Sequence, residues 1–77
     1  MNAEYERALG QNIWALRMKK GFSQEQLAAQ LQVRGCDVTR SALAKIEVGQ
    51  RHIYPDELRA LRDILGVAFE ELLPALP

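Results

Sequence analysis

Groups able to make or break covalent bonds are scarce in this chain. Cys36 and His52 are its single cysteine and single histidine. A structural zinc site draws several Cys and His ligands at tight spacing, more than two such residues can supply. No metal and no cofactor is therefore expected. Ser41 and His52 do not form a nucleophile–base pair, because His52 lies past the end of the helix that carries Ser41 and no carboxylate stands to orient its ring. No phosphate loop of glycines leads into a helix. An enzyme is not expected. Cys36 reads as an incidental loop thiol that cannot close a disulfide within the chain, and His52 as a loop residue.

What is left is the non-covalent chemistry of charge and hydrogen bonding. The formal net charge is zero, but its distribution is uneven. From Arg7 to Arg51, eight cations stand against Glu25, Asp37 and Glu47, a net +5. Residues 1–6 carry Glu4 and Glu6, a net −2, and residues 52–77 carry five carboxylates against Arg59 and Arg62, a net −3. A basic body thus joins an acidic C-terminal end. Distribution matters more than the sum for a charged partner, yet charge alone does not separate a binding face from chance.

These side chains must be held by a small scaffold. A chain of 77 residues and 8.7 kDa is one domain with one core, here residues 1–77 with the core at about 6–73. A domain of this size buries only ~60–65% of its unfolded surface. Apolar residues make up 48% and aromatics 6%, and Leu and Ala dominate, which favours helix over strand. The N-terminus lacks the basic and apolar stretches of a secretory signal, and no apolar run is long enough for a membrane span. A cytoplasmic protein is expected.

Five short helices are predicted. Leu9, Ile13 and Leu16 share one face of a first helix over roughly residues 3–19, with Trp14 read as a packing residue beside Met18. Lys19 and Lys20 suit its negative end, and Gly21 stops it. Ser23 and Gln26 form a capping box that starts a second helix at Gln24, with Phe22 and Leu27 as a hydrophobic staple. Leu27, Ala28 and Leu31 are its inner face, and Gly35 ends it. Thr39 caps a third helix to about Val48 whose apolar face is Val38, Ala42, Leu43 and Ile46. Arg40, Ser41, Ala44 and Lys45 lie on its other side. Pro55, Asp56 and Glu57 open a fourth helix that ends at Gly66. Val67 to Leu73 forms a fifth, limited by Pro74 and Pro77.

Three segments in this order carry a resemblance: LGQNIWALRMKKGFSQEQLAAQL, VTRSALAKIEVGQR and YPDELRALRDILGVAFEELL. Together they resemble the Xre/Cro-type helix-turn-helix family of prokaryotic and phage transcriptional regulators. The resemblance implies an all-α, lambda-repressor-like domain in which helices 2 and 3 form the helix-turn-helix. It implies double-stranded DNA as partner, with the third helix in the major groove and the start of the second against the phosphate backbone. Ala28 supplies the small residue that a sharp helix crossing needs.

By the same resemblance Arg40, Ser41, Ala44 and Lys45 read bases. Arg can donate twice to guanine O6 and N7, and Ala can meet a thymine methyl. Arg17, Lys19, Gln24 and Arg51 are implied phosphate contacts. Glu47 is read instead as a structural ion pair or cap, since a carboxylate near phosphate is repelled.

The chain departs from the family pattern after the second helix. Gln32 stands where a glycine usually turns the chain, and Val33–Asp37 is added length in a turn that usually takes ~3–4 residues. The second helix is therefore expected to reach about Arg34, with Arg34 an added phosphate contact. Ala68 stands where the family often places a capping Ser, so the fifth helix is expected to fray. Leu73 and Leu76 exceed what one short helix can bury and are candidates for a homodimer interface. No small-molecule effector is evident, and repression is expected by family analogy. The alternative reading is a protein-interaction module, such as an antitoxin or adaptor, that uses the same fold.

Overall fold

The computed structural model describes residues 3–75. Five helices follow one another: α1 (Ala3–Lys20), α2 (Gln24–Val33), α3 (Arg40–Glu47), α4 (Pro55–Leu65) and α5 (Phe69–Leu72). Among the described residues there is no strand.

Local chemistry sets the helix starts. Ser23 Oγ accepts from the Gln26 N–H at 3.0 Å, and Gln26 Oε1 accepts from the Ser23 N–H at 2.8 Å, a complete capping box. Thr39 Oγ1 accepts from the Ala42 N–H at 3.1 Å and fixes the start of α3. At α4 the cap is half made. Pro55 occupies the first turn and Glu57 Oε1 accepts from the Tyr54 N–H at 3.1 Å. The fifth helix is shorter than the expected Val67–Leu73. Ala68 keeps an extended backbone (φ −82°, ψ 157°), so only one turn forms. That turn is held all the same, because Glu71 Oε2 accepts from the Ala68 N–H at 2.9 Å and Leu72 is fully buried.

The core lies where all five helices meet. Leu9 and Ile13 of α1 pack with Leu27 and Leu31 of α2, Leu43 and Ile46 of α3, Ala60, Leu61 and Leu65 of α4, and Leu72 of α5. Burying a Leu or Ile side chain contributes about 1.5–3 kcal/mol, so these residues dominate the stability of so small a domain. Asn12 Nδ2 donates to the Leu72 carbonyl at 2.8 Å and ties α5 to α1.

The added segment between α2 and α3 is exposed except at Cys36, which pins it to the domain. Arg34 caps α2, and Gly35 takes a left-handed φ of +84° that an L side chain rarely adopts. The Cys36 N–H then donates back to the Leu31 carbonyl at 2.9 Å, and Gln32 Nε2 donates to the Val38 carbonyl at 3.2 Å. Cys36 and Val38 enter the core. Cys36 is thus no incidental thiol. It is an anchor of the segment, and burial, with the Asp56 and Glu57 carboxylates behind it, pushes its pKa up.

The helix-turn-helix pair is held against α1 by close backbone approach. Gly10 lies inside α1, where glycine ordinarily costs ~1 kcal/mol relative to alanine. A Cβ there would stand 2.3 Å from the Ile46 carbonyl oxygen and 2.8 Å from that of Glu47. Only glycine lets the end of α3 rest on the middle of α1.

Candidate functional site

The outer side of α3 is a surface of donors. Arg40, Ser41 and Lys45 are exposed and Ala44 is half-buried, while Leu43, Ile46 and Glu47 face inward. The apolar side docks the helix on the domain and leaves a polar side free to enter a groove. Arg40 stands at the first turn, beside the start of α2. Its Nε lies 3.9 Å from Glu25 Oε1, an exposed pair of little energetic weight. A shallow depression bounded by Arg17, Ser23, Gln24, Glu25 and Arg40 marks where the two helix starts meet.

Gln24 is held in place from within the domain. Its Nε2 donates to Glu47 Oε1 at 2.9 Å. Glu47 in turn receives Arg17 Nε at 2.6 Å on Oε2 and Arg17 Nη2 at 3.1 Å on Oε1, and Arg17 Nη1 donates to the Phe22 carbonyl at 2.9 Å. The side chains of Arg17 and Glu47 are 8% and 4% exposed. The ion pair read for Glu47 is present, and its partner is the residue expected on a phosphate. That expectation for Arg17 is corrected: its guanidinium is buried and its edges are turned to Glu47 and Phe22.

Arg51, 26% exposed on its side chain, is also engaged within the domain. Its Nη1 and Nη2 donate to the two Glu57 carboxylate oxygens at 2.9 and 3.0 Å, and Nη1 also donates to the His52 carbonyl. This bidentate pair depresses the Glu57 pKa and raises that of Arg51. Arg51 therefore joins the loop after α3 to the first turn of α4. Contrary to the sequence expectation, a carboxylate does meet the His52 ring: Nδ1 contacts Glu6 of α1, a second link from the same loop.

The remaining expected residues lie at the surface. Lys19 is exposed at the end of α1, and Arg34 is 44% exposed on its side chain with Nη1 3.9 Å from Asp63. Leu73 is 37% exposed after α5, and Leu76 lies outside the described residues. Sequence reasoning missed the Gly10 contact and the role of Glu57. A glycine between Leu9 and Ile13 inside an apolar helical stripe was the available signal for the first. Glu57, three residues after Tyr54, reads locally as a first-turn acid and says nothing about Arg51.

Among the described residues no group of three or more His, Cys, Asp or Glu gathers as a metal site, and no helix is long and apolar enough to cross a membrane. The model of the helix-turn-helix family matches residues 15–72. No curated protein sequence matches the chain. Among solved structures, the crystal structure of the DNA-binding domain of BldD is similar at 31% identity and a TM-score of 0.80, covering 96% of this chain and 100% of that one. The S. venezulae BldD DNA-binding domain is similar at 31% identity and a TM-score of 0.76, over 92% of this chain and 99% of that one. The restriction-modification controller protein C.AhdI from Aeromonas hydrophila is also similar, at 31% identity and a TM-score of 0.79, over 92% of this chain and 96% of that one.

Proposed function

The chain belongs to the helix-turn-helix family, of the Xre/Cro type, and from that membership we propose a DNA-binding transcription regulator whose α3 reads the major groove. One observation carries the reading. The exposed side of α3 presents Arg40, Ser41 and Lys45 next to the start of α2, where Gln24 is fixed by the buried Glu47. The major groove is ~12 Å wide and admits one helix.

In this reading Arg40 donates to a guanine, Ser41 and Lys45 reach neighbouring base edges, and Ala44 meets a thymine methyl. Gln24 and Lys19 contact phosphates, the first aided by the positive end of α2. Arg34 adds a phosphate contact in the segment that follows α2. Arg17 and Arg51 act as positioning residues: one holds Gln24 through Glu47, and the other fixes the exit from α3.

Regulators of this kind read two half-sites about one helical turn apart, which asks for a dimer. Leu73 and Leu76 are proposed for that interface, and repression by occlusion of the promoter for the regulatory outcome. Selection from a pool of random duplexes at near-physiological salt tests the whole reading. Enrichment of a two-fold symmetric site supports it. Salt-sensitive binding without enrichment points instead to a protein partner. Sedimentation of the wild type and of Leu73→Asp tests the dimer, and a wild-type monomer at high micromolar concentration refutes it.

A further inference from the structure

Trp14 is the sole tryptophan of the chain and stands 49% exposed on α1. The packing role expected for it is thus at most half filled. It does not stand alone. Arg7, Gln11 and Trp14 follow at intervals of four and three residues, so one face of α1 carries all three, and each is exposed. A groove separates this row from the proposed DNA face, with Arg7, Gln11 and Trp14 on one side and Gln24, Ala44 and Val48 on the other.

The chemistry of the row selects its occupant. The guanidinium of Arg7 and the indole N–H of Trp14 can only donate, and the Gln11 amide adds two further N–H groups. Phosphate oxygens only accept. Glu47 also borders the groove, but its carboxylate is matched by Arg17 and bonded by Gln24, so no free anion there repels a phosphate. The groove is continuous with both Gln24, the proposed phosphate anchor, and Ala44 of the recognition helix.

We infer that this α1 groove receives the sugar–phosphate backbone of the bound duplex, with Arg7 and the Trp14 indole N–H donating to phosphate oxygens. The inference rests on the DNA-binding reading above and extends the α1 contact from Lys19 at the helix end to the row of Arg7, Gln11 and Trp14. It makes the contact independent of base sequence, because every nucleotide offers the same backbone.

A single tryptophan makes the test direct. Binding of the full chain to an end-labelled duplex is followed by fluorescence anisotropy, and Trp14 accessibility by acrylamide quenching of its emission, in the same samples. DNA is expected to protect Trp14 from quencher in step with the anisotropy. Trp14→Phe, whose urea melt should match the wild type, is expected to weaken binding to all duplexes about tenfold, in line with loss of a hydrogen bond to a charged acceptor. It should leave the salt dependence unchanged. Arg7→Ala should lower the slope of log affinity against log salt by about one. Full duplex binding with Trp14 equally accessible, or with Trp14→Phe binding as the wild type does, overturns the inference and leaves the DNA-binding reading standing. Protection of Trp14 that follows protein concentration without DNA overturns it in favour of a second copy in the groove. Absence of duplex binding in the anisotropy removes both readings.

Discussion

Arg17 and Glu47 lie thirty positions apart in the chain, yet Arg17 Nε approaches Glu47 Oε2 to 2.6 Å in the domain interior. The pair links the end of α1 to the end of α3 and gives Gln24 its partner at the start of α2. One carboxylate of α3 thereby bonds side chains of α1 and α2. Glu47→Ala leaves the Arg17 charge buried with only the Phe22 carbonyl to accept from it, which is expected to cost about 3–5 kcal/mol by urea denaturation. The double change Arg17→Met with Glu47→Leu replaces the pair with apolar bulk and should recover most of that stability. Its DNA affinity should stay low, because Gln24 has lost its tether. Recovery of affinity together with stability would show that the pair serves the fold alone.

Gly10→Ala offers a second test of how α1 meets α3. On helix propensity alone the change should stabilise by ~1 kcal/mol. The Ile46 carbonyl 2.3 Å from the new Cβ reverses the sign, since backbone must move. A net loss of about 1–3 kcal/mol is expected from thermal or urea melts. A gain in stability would mean that the helices separate without cost.

Arg40 and Arg51 should now part company in their effects. Arg40→Ala should weaken binding to the preferred site by about 1–3 kcal/mol and relax selection at one base pair, with an unchanged melt. Arg51→Ala should instead lower stability, because Glu57, 8% exposed on its side chain, loses its bidentate partner. The salt slope of DNA binding should be the wild-type one. A slope reduced by one in Arg51→Ala, with full stability, would return Arg51 to a phosphate.

Glu57 also makes stability depend on pH. Its pKa is held below the ordinary carboxylate value, first by the hydrogen bonds from Arg51 and further by the Tyr54 N–H. A group depressed in the folded state stabilises fully above its unfolded value and loses that contribution as pH falls through the folded one. Stability should thus decline as pH drops below the ordinary Glu value of 4.5. Glu57→Gln should be less stable at pH 7 and show a shallower decline. Parallel pH profiles for the two proteins would mean that other carboxylates carry the effect.

The buried thiol gives a compact probe of the segment between α2 and α3. Burial and two nearby carboxylates keep Cys36 protonated, so native protein should react slowly with a thiol reagent and urea-unfolded protein quickly. Equal rates would mean that this segment opens without unfolding the domain.

Much of the architecture was readable from the chain because its signals are local. Ser23 with Gln26, Thr39 with Ala42, and Pro55 at the start of α4 act within one turn, so their spacing is their geometry. The apolar periodicity of Leu9 and Ile13, or of Leu43 and Ile46, likewise names the buried face of each helix. The polar side of α3 was legible for the same reason. Tertiary structure alone decided which cations are free. Arg17 and Lys19 stand two residues apart at the same helix end, and nothing local marks the first as buried and the second as exposed. That difference comes from a carboxylate thirty residues away, brought close only when α3 docks against α1. Arg51 is tied by Glu57 through a turn whose path the spacing does not specify. The row of Arg7, Gln11 and Trp14 gains its meaning only from the groove it shares with Gln24 and Ala44. Periodicity tells which way a side chain points on its own helix, whereas the partner it meets depends on how the helices cross, and that is set by close packing of the whole core.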